Sequence, residues 1–309
     1  MLGRHKRFSY DRVFGFGWLT GLVSAVVLGF VLSGCSVNKP PVLPALMVDA
    51  GAASQAGRIV WRDLFVADID RVRPFYESLF GWEFDASVDY GNFQLARLDG
   101  RPVAGFVLMD EDRTRDVTTQ WVPNLLVEDV DAVAARFADG GTVLRAPVDL
   151  PDRGRVAVVE DAEEAPVLLL ETRNGTPTPP TGAPGTFFWT ELWSADEAIS
   201  LPFYEQTVGY RRVPTPEGID PSYRIIGVGG ERQAGLVVIP YDGVRPHWLS
   251  YIAVDDPSAI AERAVALGGR VLIAPDETNG RVAAVLADPG GGVFGIQQWP
   301  LQTEEEVQP

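Results

Sequence analysis

The sequence predicts an α+β fold of four βαβββ units that pair into two domains. Segment 61–82, WRDLFVADIDRVRPFYESLFGW, returns at 189–210 as WTELWSADEAISLPFYEQTVGY, with Trp, Leu, Ala, Asp, Pro, Phe, Tyr, Glu and Gly at matching positions. A second pair, VEDVDAVAARFADGG at 127–141 and VDDPSAIAERAVALGG at 254–269, repeats in the order A-B-A′-B′. Such self-similarity indicates tandem copies of one supersecondary unit.

Length and composition agree with two globular domains. The chain has 309 residues, of which 46% are hydrophobic and 22% are charged, and about 150 residues are usual for one domain. The formal net charge of −16 argues against a nucleic-acid partner, which would require a basic face. We attribute the acidity to solubility.

Residues 1–34 resemble a bacterial lipoprotein signal peptide. An apolar run at 13–32 follows four basic residues and ends in the lipobox-like Leu32-Ser33-Gly34-Cys35. The resemblance implies cleavage before Cys35, lipidation of that cysteine and attachment to the membrane; an uncleaved anchor is the alternative. Because Ser36 and not Asp follows, the expected location is the cell envelope, at an outer membrane facing the periplasm. The basic residues are Arg4, Lys6, Arg7 and Arg12.

The remaining chain divides by composition. Residues 35–57 are rich in Pro and small residues and predict a tether. The first domain, 58–172, consists of units 58–110 and 119–172. Residues 173–185 contain NGTPTPPTGAPG and predict a linker. The second domain, 186–300, consists of units 186–240 and 245–300, and 301–309 form a tail. Since Cys35 is the only cysteine, the domains contain no disulfide and no thiol nucleophile.

Each unit begins with a strand and a helix. In the first unit, strand 58–66 precedes Asp68, a helix N-cap, and apolar residues then recur at helical spacing until Gly81. Pro74 either opens this helix or kinks it. Strands are predicted at 82–84, 92–98 and 102–108. In the second unit, strand 121–127 precedes a helix that starts after Asp129 and ends at Gly140-Gly141; strands follow at 143–146, 155–159 and 166–170.

The four units resemble the vicinal oxygen chelate superfamily, which includes glyoxalase I, bleomycin-resistance proteins and extradiol dioxygenases. The resemblance rests on FY-x₄-G patterns, on the turn Asp288-Pro289-Gly290-Gly291, and on VAGF at Val103 and QAGL at Gln233, which are similar to the glyoxalase-like branch. It covers residues 58–299 and implies two glyoxalase-like half-open barrels, each enclosing a cavity. The two patterns are Phe75, Tyr76, Gly81 and Phe203, Tyr204, Gly209.

The resemblance also implies a divalent metal held by His or Glu on first and last strands. Here the matching positions hold side chains that do not bind such ions, and residues 106–109 and 236–241 contain no acid or histidine. The sequence therefore predicts neither metal nor cofactor. The one histidine after Cys35, His247, is expected at a surface or a strand edge. The matching positions are Trp61, Val122, Trp189, Leu249, Leu168 and Gly295.

The cavity face combines aromatic rings with acids. A period of two places Trp61, Asp63 and Phe65 on one face of the first strand, and Trp189, Glu191 and Trp193 on the equivalent strand. Asn124 and Tyr251 hold the matching inward positions of the second units. Three interpretations are open: a filled core, a box for a flat or cationic ligand, or a catalytic base.

These observations predict a monomeric, metal-free protein that binds a small aromatic or cationic molecule, or a protein partner. One alternative is a glyoxalase- or dioxygenase-type enzyme that uses Asp63 and Glu191; another is a structural envelope protein with filled cavities. No catalytic residue is assigned. Ser194 has no His and Asp at triad spacing, so a serine hydrolase is unsupported. Glu163 and Glu164 are expected to be solvated.

Overall fold

The computed structural model describes residues 48–49, 56–84, 92–109, 119–173, 175–177, 182–216, 219–276 and 282–299. The proposed signal peptide with Cys35, most of the tether and the tail lie outside the described residues. Within the described residues, no helix is long and apolar enough to cross a bilayer.

The first domain follows a two-residue strand, β1 (Val48–Asp49). Its first unit contains β2 (Ile59–Val66), α1 (Ile69–Phe80), β3 (Glu83–Phe84), β4 (Phe93–Leu98) and β5 (Arg101–Leu108). Its second unit contains β6 (Gln120–Leu126), α2 (Val130–Phe137), β7 (Thr142–Leu150), β8 (Gly154–Glu160) and β9 (Pro166–Glu171). A further short strand, β10 (Thr176–Pro177), lies in the linker and pairs antiparallel with β1.

The second domain repeats this order. Its units are β11 (Phe187–Ser194), α3 (Glu197–Thr207), β12 (Arg211–Val213), β13 (Arg224–Val228) and β14 (Glu231–Val238), and then β15 (His247–Val254), α4 (Pro257–Ala266), β16 (Arg270–Asp276), β17 (Ala283–Ala287) and β18 (Val293–Gln298). The predicted α+β class with four βαβββ units is confirmed.

Each domain has one eight-stranded mixed sheet. The strand orders are β3-β4-β5-β2-β6-β9-β8-β7 and β12-β13-β14-β11-β15-β18-β17-β16. The first strands of paired units, β2 with β6 and β11 with β15, meet antiparallel at the centre. Each first strand is parallel to the last strand of its own unit. The residues at the sheet centre therefore come from four strands of two units.

Helix starts follow the sequence signals. Each of the four aspartates before the helices is extended, and its carboxylate accepts a hydrogen bond from a backbone amide in the first turn, as an N-cap does. Helix α1 ends at Gly81, whose φ of 72° is left-handed. Pro74 lies inside α1 and does not open it. Helix α2 ends at Phe137, before the glycine pair predicted to stop it. The N-caps are Asp68, Asp129, Asp196 and Asp256.

The helices pack between the two sheets, and the domains share their cores. One apolar cluster combines α1 of the first domain with α4 of the second, and another combines α2 with α3. Leu64 and Val66 on β2 and Leu192 on β11 contribute to these clusters. The opposite faces of the sheets form two separate apolar clusters. We call the face that carries Trp61 and Phe93 the first cup, and the face that carries Trp193 and Tyr251 the second cup.

Candidate functional site

The predicted aromatic–acid–aromatic side chains lie in the two cups. In the first cup, Trp61 and Asp63 are buried and Phe65 is half-buried. In the second cup, Trp193 is buried while Trp189 and Glu191 are half-buried. The inward partners Asn124 and Tyr251 are also buried. The structure thus brings the predicted residues together, in one group per domain.

A glycine on the neighbouring strand makes room for each acid. Asp63 is paired with Gly105 of β5, and Glu191 with Gly235 of β14. A Cβ at Gly105 would lie 1.9 Å from Oδ1 of Asp63, and one at Gly235 would lie 2.1 Å from the Tyr223 hydroxyl and 2.8 Å from Cγ of Glu191. These glycines belong to the VAGF and QAGL motifs, so the motifs allow an acid to fit on the cup face.

Asp63 is held by neutral donors. The indole Nε1 of Trp61 donates to its Oδ1 at 2.9 Å, and Nδ2 of Asn124 donates to its Oδ2 at 2.9 Å. Asp63 is only 1% exposed. A buried carboxylate requires such donors, so in the first cup they fix the acid in place.

The first cup also contains a cation that the sequence analysis missed. Arg153, in the turn 151–153 between β7 and β8, is 2% exposed. Its guanidinium carbon lies 5.3 Å from the ring centre of Trp61 and 5.7 Å from that of Phe93, which is cation–π range. Burial lowers the pKa of Arg153, and the negative charge of Asp63 opposes this effect. The first cup is therefore filled by the chain's own cation.

Glu191 is hydrogen-bonded differently from Asp63. Its Oε2 accepts from Nε1 of Trp193 at 3.1 Å and from the hydroxyl of Tyr251 at 2.8 Å. Trp189 does not bond the acid as Trp61 does; its Nε1 donates to the Tyr223 hydroxyl at 2.7 Å. Burial raises the pKa of Tyr251 well above its ordinary value, and the charge of Glu191 adds to this effect. Tyr251 is therefore a neutral donor to the carboxylate at physiological pH.

The second cup contains an open cavity of about 210 Å³. The rings of Trp193 and Tyr241 stack at one side, with centroids 6.2 Å apart, and Tyr251 lines another side. Glu191 bonds two of these lining side chains and places negative charge directly behind them. Among the described residues that line the cavity there is no arginine or lysine; they are Trp193, Val237, Pro240, Tyr241, Tyr251, Ile273, Ala283, Ala284 and Val285.

His247 contributes to the rim of the second cup. It is paired with Trp193 across β15 and β11, and the ring centroids are 5.5 Å apart. Its Nδ1 lies 2.8 Å from the carbonyl oxygen of Arg245. Burial lowers its pKa. His247 was expected at a surface or edge, but it is the half-buried first residue of the central strand β15, and its contact with Trp193 makes it a neighbour of the cavity.

The residues of the cups do not fit the metal implied by the resemblance. Such sites need several His or carboxylate ligands converging on one ion. Each cup presents one acid, already bonded to indole, amide or phenol donors. Across the described ranges, no group of three or more His, Cys, Asp or Glu side chains is placed to hold a metal ion.

Glu163 differs from the expectation that it is solvated. It is half-buried and accepts hydrogen bonds at 2.6 Å from the Ser194 hydroxyl, at 2.8 Å from the amide of Asp196, and at 2.5 Å from the Ser200 hydroxyl. These donors lie more than 30 residues away, in the second domain, so the run of acids in the sequence gave no signal. Ser194 is therefore a structural donor. Glu164 is exposed.

Comparisons with known proteins agree with the fold. A family model described as Glyoxalase/Bleomycin resistance protein/Dioxygenase superfamily matches residues 58–167, and one described as Glyoxalase-like domain matches residues 189–296. A Mycobacterium tuberculosis protein named "Putative glyoxylase CFP32" is 33% identical over 242 residues, which cover 76% of this chain and 92% of that protein. Anthracycline biosynthesis protein DnrV of Streptomyces peucetius is 30% identical over 258 residues, covering 78% and 92%.

Two solved structures share the architecture. The Mn(II)-bound glyoxalase from Novosphingobium aromaticivorans superposes with a TM-score of 0.55 at 18% identity, covering 81% of this chain and 84% of that one. The 2,2',3-trihydroxybiphenyl 1,2-dioxygenase from Sphingomonas wittichii gives 0.52 at 15% identity, covering 79% and 90%. At these identities the likeness concerns the fold alone.

Proposed function

The chain belongs to the glyoxalase/bleomycin resistance protein/dioxygenase superfamily, and within that family we propose that it binds a small organic cation in the second cup without a metal. The observation that carries this proposal is the contrast between the cups. In the first cup, a guanidinium group lies against two aromatic rings near an acid. In the second cup, aromatic rings line an open cavity, and an acid behind them bonds two of the lining side chains.

Arg153 indicates the chemistry that such a cup accepts. A flat cation gains from the faces of aromatic rings and from a nearby carboxylate. The repeat aligns GRVAVV at 154–159 with GRVAAV at 280–285, which puts Asn279 at the position equivalent to Arg153. Asn279 lies outside the described residues. The sequence nevertheless provides no internal cation at that position of the second domain, and an external one is the natural substitute.

The cavity limits the size of the ligand. At about 210 Å³ it lies below the roughly 300 to 1,000 Å³ of pockets for drug-sized molecules. The ligand should therefore be one small planar group, such as an amidinium or a guanidinium on a ring or a short chain. Its ring or chain would contact Trp193 and Tyr241, and its charge would lie on the side of the cavity where Glu191 bonds Trp193 and Tyr251 from behind.

Calorimetric titration with benzamidinium tests the proposal. Neutral benzamide and anionic benzoate have a similar shape and isolate the effect of charge. We expect benzamidinium to bind and the other two to bind at least tenfold more weakly. Glu191→Gln should weaken benzamidinium about tenfold, or 1.4 kcal/mol, while Asp63→Asn in the first cup should leave this site unchanged. Equal affinity for all three probes would contradict the proposal.

A glyoxalase-type enzyme is the second candidate, because the relative from Mycobacterium tuberculosis carries the name of a glyoxylase. A glyoxalase-type enzyme would require a bound metal ion, or an acidic side chain able to take a proton from the substrate. Dialysis against Zn²⁺, Ni²⁺, Mn²⁺ and Fe²⁺, followed by measurement of bound metal per chain, separates the two candidates. One or two tightly held ions per chain would favour the enzyme.

We further propose that the protein is a lipoprotein anchored at Cys35 in the cell envelope. The lipobox-like sequence supports this proposal. Metabolic labelling with radioactive palmitate should label the wild-type chain and not the Cys35→Ser variant, with Ser36→Ala as the matched control. Equal labelling of Cys35→Ser would refute lipidation at this residue.

A further inference from the structure

We propose that Arg153 is a displaceable internal ligand, and that the first cup binds a small organic cation when the turn 151–153 swings outward. The inference extends the chemistry proposed for the second cup to a second site. It differs from the first proposal in one respect, since here the external ligand must compete with a side chain of the protein.

The closed position of Arg153 leaves its hydrogen-bonding groups unused. Its Nε, Nη1 and Nη2 are buried and have no hydrogen-bond partner in the part of the chain that the structure describes, and the same holds for Oδ1 of Asn124. A guanidinium carries five N–H donors, and burial without partners is unfavourable for each of them. The aromatic faces of Trp61 and Phe93 and the charge of Asp63 are the attractions that hold Arg153 inside.

These nitrogen atoms are closed to solvent, so a bound anion has no space beside them. An outward movement would instead hydrate every N–H group. The buried and the solvent-exposed positions of the Arg153 side chain therefore differ less in free energy than they would if its N–H groups were hydrogen-bonded in the buried position. A ligand that binds only the open form shifts such an equilibrium.

The backbone around Arg153 allows a local movement. The β7–β8 ladder ends at the pair Leu150 and Gly154, and Arg153 lies in the turn beyond it, next to exposed Pro151 and Asp152. Gly154 has a φ of 121°, and a Cβ there would lie 2.1 Å from the carbonyl oxygen of Glu171. This glycine fixes the ladder closely against β9, so the turn is the part that is free to move.

Opening would expose the aromatic faces of Trp61 and Phe93 that Arg153 now covers. Asp63 would remain in place, since Trp61 and Asn124 hold its two oxygen atoms. A benzamidinium ion could then occupy the position of the guanidinium. The first cup would thus be a second, weaker copy of the proposed site, closed by its own side chain.

The test is calorimetric titration of the full chain in dodecyl maltoside with benzamidinium. Arg153→Asn introduces the residue found at the equivalent position 279, and Arg153→Ala is a second variant in case the first does not fold. For wild type we expect a first-cup site at least tenfold weaker than the second-cup site. Either variant should raise the first-cup affinity at least tenfold, giving two equivalents per chain.

Two further substitutions assign the sites. Asp63→Asn in the Arg153→Asn background should weaken the new site, and Glu191→Gln should weaken the other. A folded Arg153 variant, judged by circular dichroism and melting temperature, that gains no Asp63-dependent binding overturns the inference. If wild type lacks a Glu191-dependent site while the variant gains an Asp63-dependent one, the function proposed for the second cup fails and this inference stands.

Discussion

The hydroxyl of Tyr76 on α1 donates a 2.8 Å hydrogen bond to Oδ2 of Asp288, which lies in the turn before the last strand of the other domain. Nε1 of Trp121 donates to the same hydroxyl at 3.0 Å. Oδ1 of Asp288 accepts from the amides of Gly290 and Gly292. The FY motif and the DPGG motif therefore meet across the domain interface, where they join the two domains.

The internal repeat forms the same arrangement a second time. The Tyr204 hydroxyl donates to Oδ2 of Asp161 at 2.9 Å, and Nε1 of Trp248 donates to Tyr204 at 3.0 Å. Oδ1 of Asp161 accepts from the amides of Glu163 and Ala165. Both networks are buried between the domains and lie on the helical side of the sheets. Because the same network occurs twice at the domain interface, we attribute the FY motifs and their aspartate partners to the joining of the domains and not to chemistry in the cups.

We predict that Tyr76→Phe lowers the free energy of unfolding by about 1–3 kcal/mol, because Asp288 and Trp121 each lose a buried hydrogen-bond partner. Tyr204→Phe should have a similar effect. The double variant should be close to additive, since the two networks share no residue. Urea denaturation followed by circular dichroism measures these changes.

The control is Tyr210→Phe, which removes one hydrogen bond to the carbonyl oxygen of Gly57 and leaves no carboxylate without its donor. Its effect should be smaller. A loss below about 0.5 kcal/mol for Tyr76→Phe, within the range of ordinary surface changes, would show that the network does not stabilise the interface.

The sequence was sufficient to predict the βαβββ units and the aromatic and acidic positions on the cup faces of the first strands. Strand alternation placed Trp61, Asp63 and Phe65 on one face because the period of two is local and strict. Aspartate N-caps fixed the helix starts for the same reason. Gly105 and Gly235 were noted only as parts of the VAGF and QAGL motifs. Their pairing with Asp63 and Glu191 became clear from the register of β2 with β5 and of β11 with β14.

Arg153 could not be placed from the sequence, because a turn side chain has no periodicity that fixes its direction. The available signal was the mismatch between Arg153 and Asn279 within an otherwise matching repeat. The partners of Glu163 were hidden for another reason: they belong to the second domain, and only the packing of α3 brings them close. The sequence therefore predicted two equivalent boxes, whereas one is filled and the other is open.

The two buried interface aspartates lead to a pH prediction. Burial raises the pKa of Asp288 and of Asp161 above the value of 3.8 expected in the unfolded chain. The folded state thus binds their protons more tightly. Their contribution to stability is complete below pH 3.8 and is lost as the pH rises through the raised pKa values.

The Asp288→Asn and Asp161→Asn variants should remove this contribution. Subtracting the variant's unfolding free energy from that of wild type isolates it from the other acids of the chain. We expect this difference, wild type minus variant, to decrease as the pH rises above 3.8 and to become constant above the raised pKa values. A difference that is independent of pH from about 3 to 7 would show that neither aspartate titrates differently on folding.

The glycine beside Asp63 gives a packing prediction. Gly105→Ala would place a methyl group 1.9 Å from the carboxylate and should destabilise the protein by about 1–3 kcal/mol through overpacking. In an Asp63→Ala background the carboxylate is absent and only the Phe93 ring, 2.6 Å from the added methyl group, must shift, so the same substitution should cost less. Thermal unfolding of the four proteins in this double-mutant cycle measures the coupling. Equal costs in both backgrounds would mean that the glycine is required for another reason.

His247 makes the proposed ligand site sensitive to pH. Its Nδ1 is within hydrogen-bond distance of a carbonyl oxygen, which makes Nδ1 the donor and leaves Nε2 to take up a proton. Burial lowers the pKa of His247 from 6.5, so the ring is neutral at pH 7. Below its folded-state pKa, the positive charge beside Trp193 would repel a cationic ligand.

We therefore predict that the affinity for benzamidinium falls as the pH drops through the lowered pKa of His247, while the affinity for neutral benzamide stays constant. His247→Gln should remove the loss of affinity and leave binding at pH 7 unchanged. The measurement is calorimetric titration at several values between pH 5 and 8. An unaltered pH profile in His247→Gln would assign the titrating group to another residue.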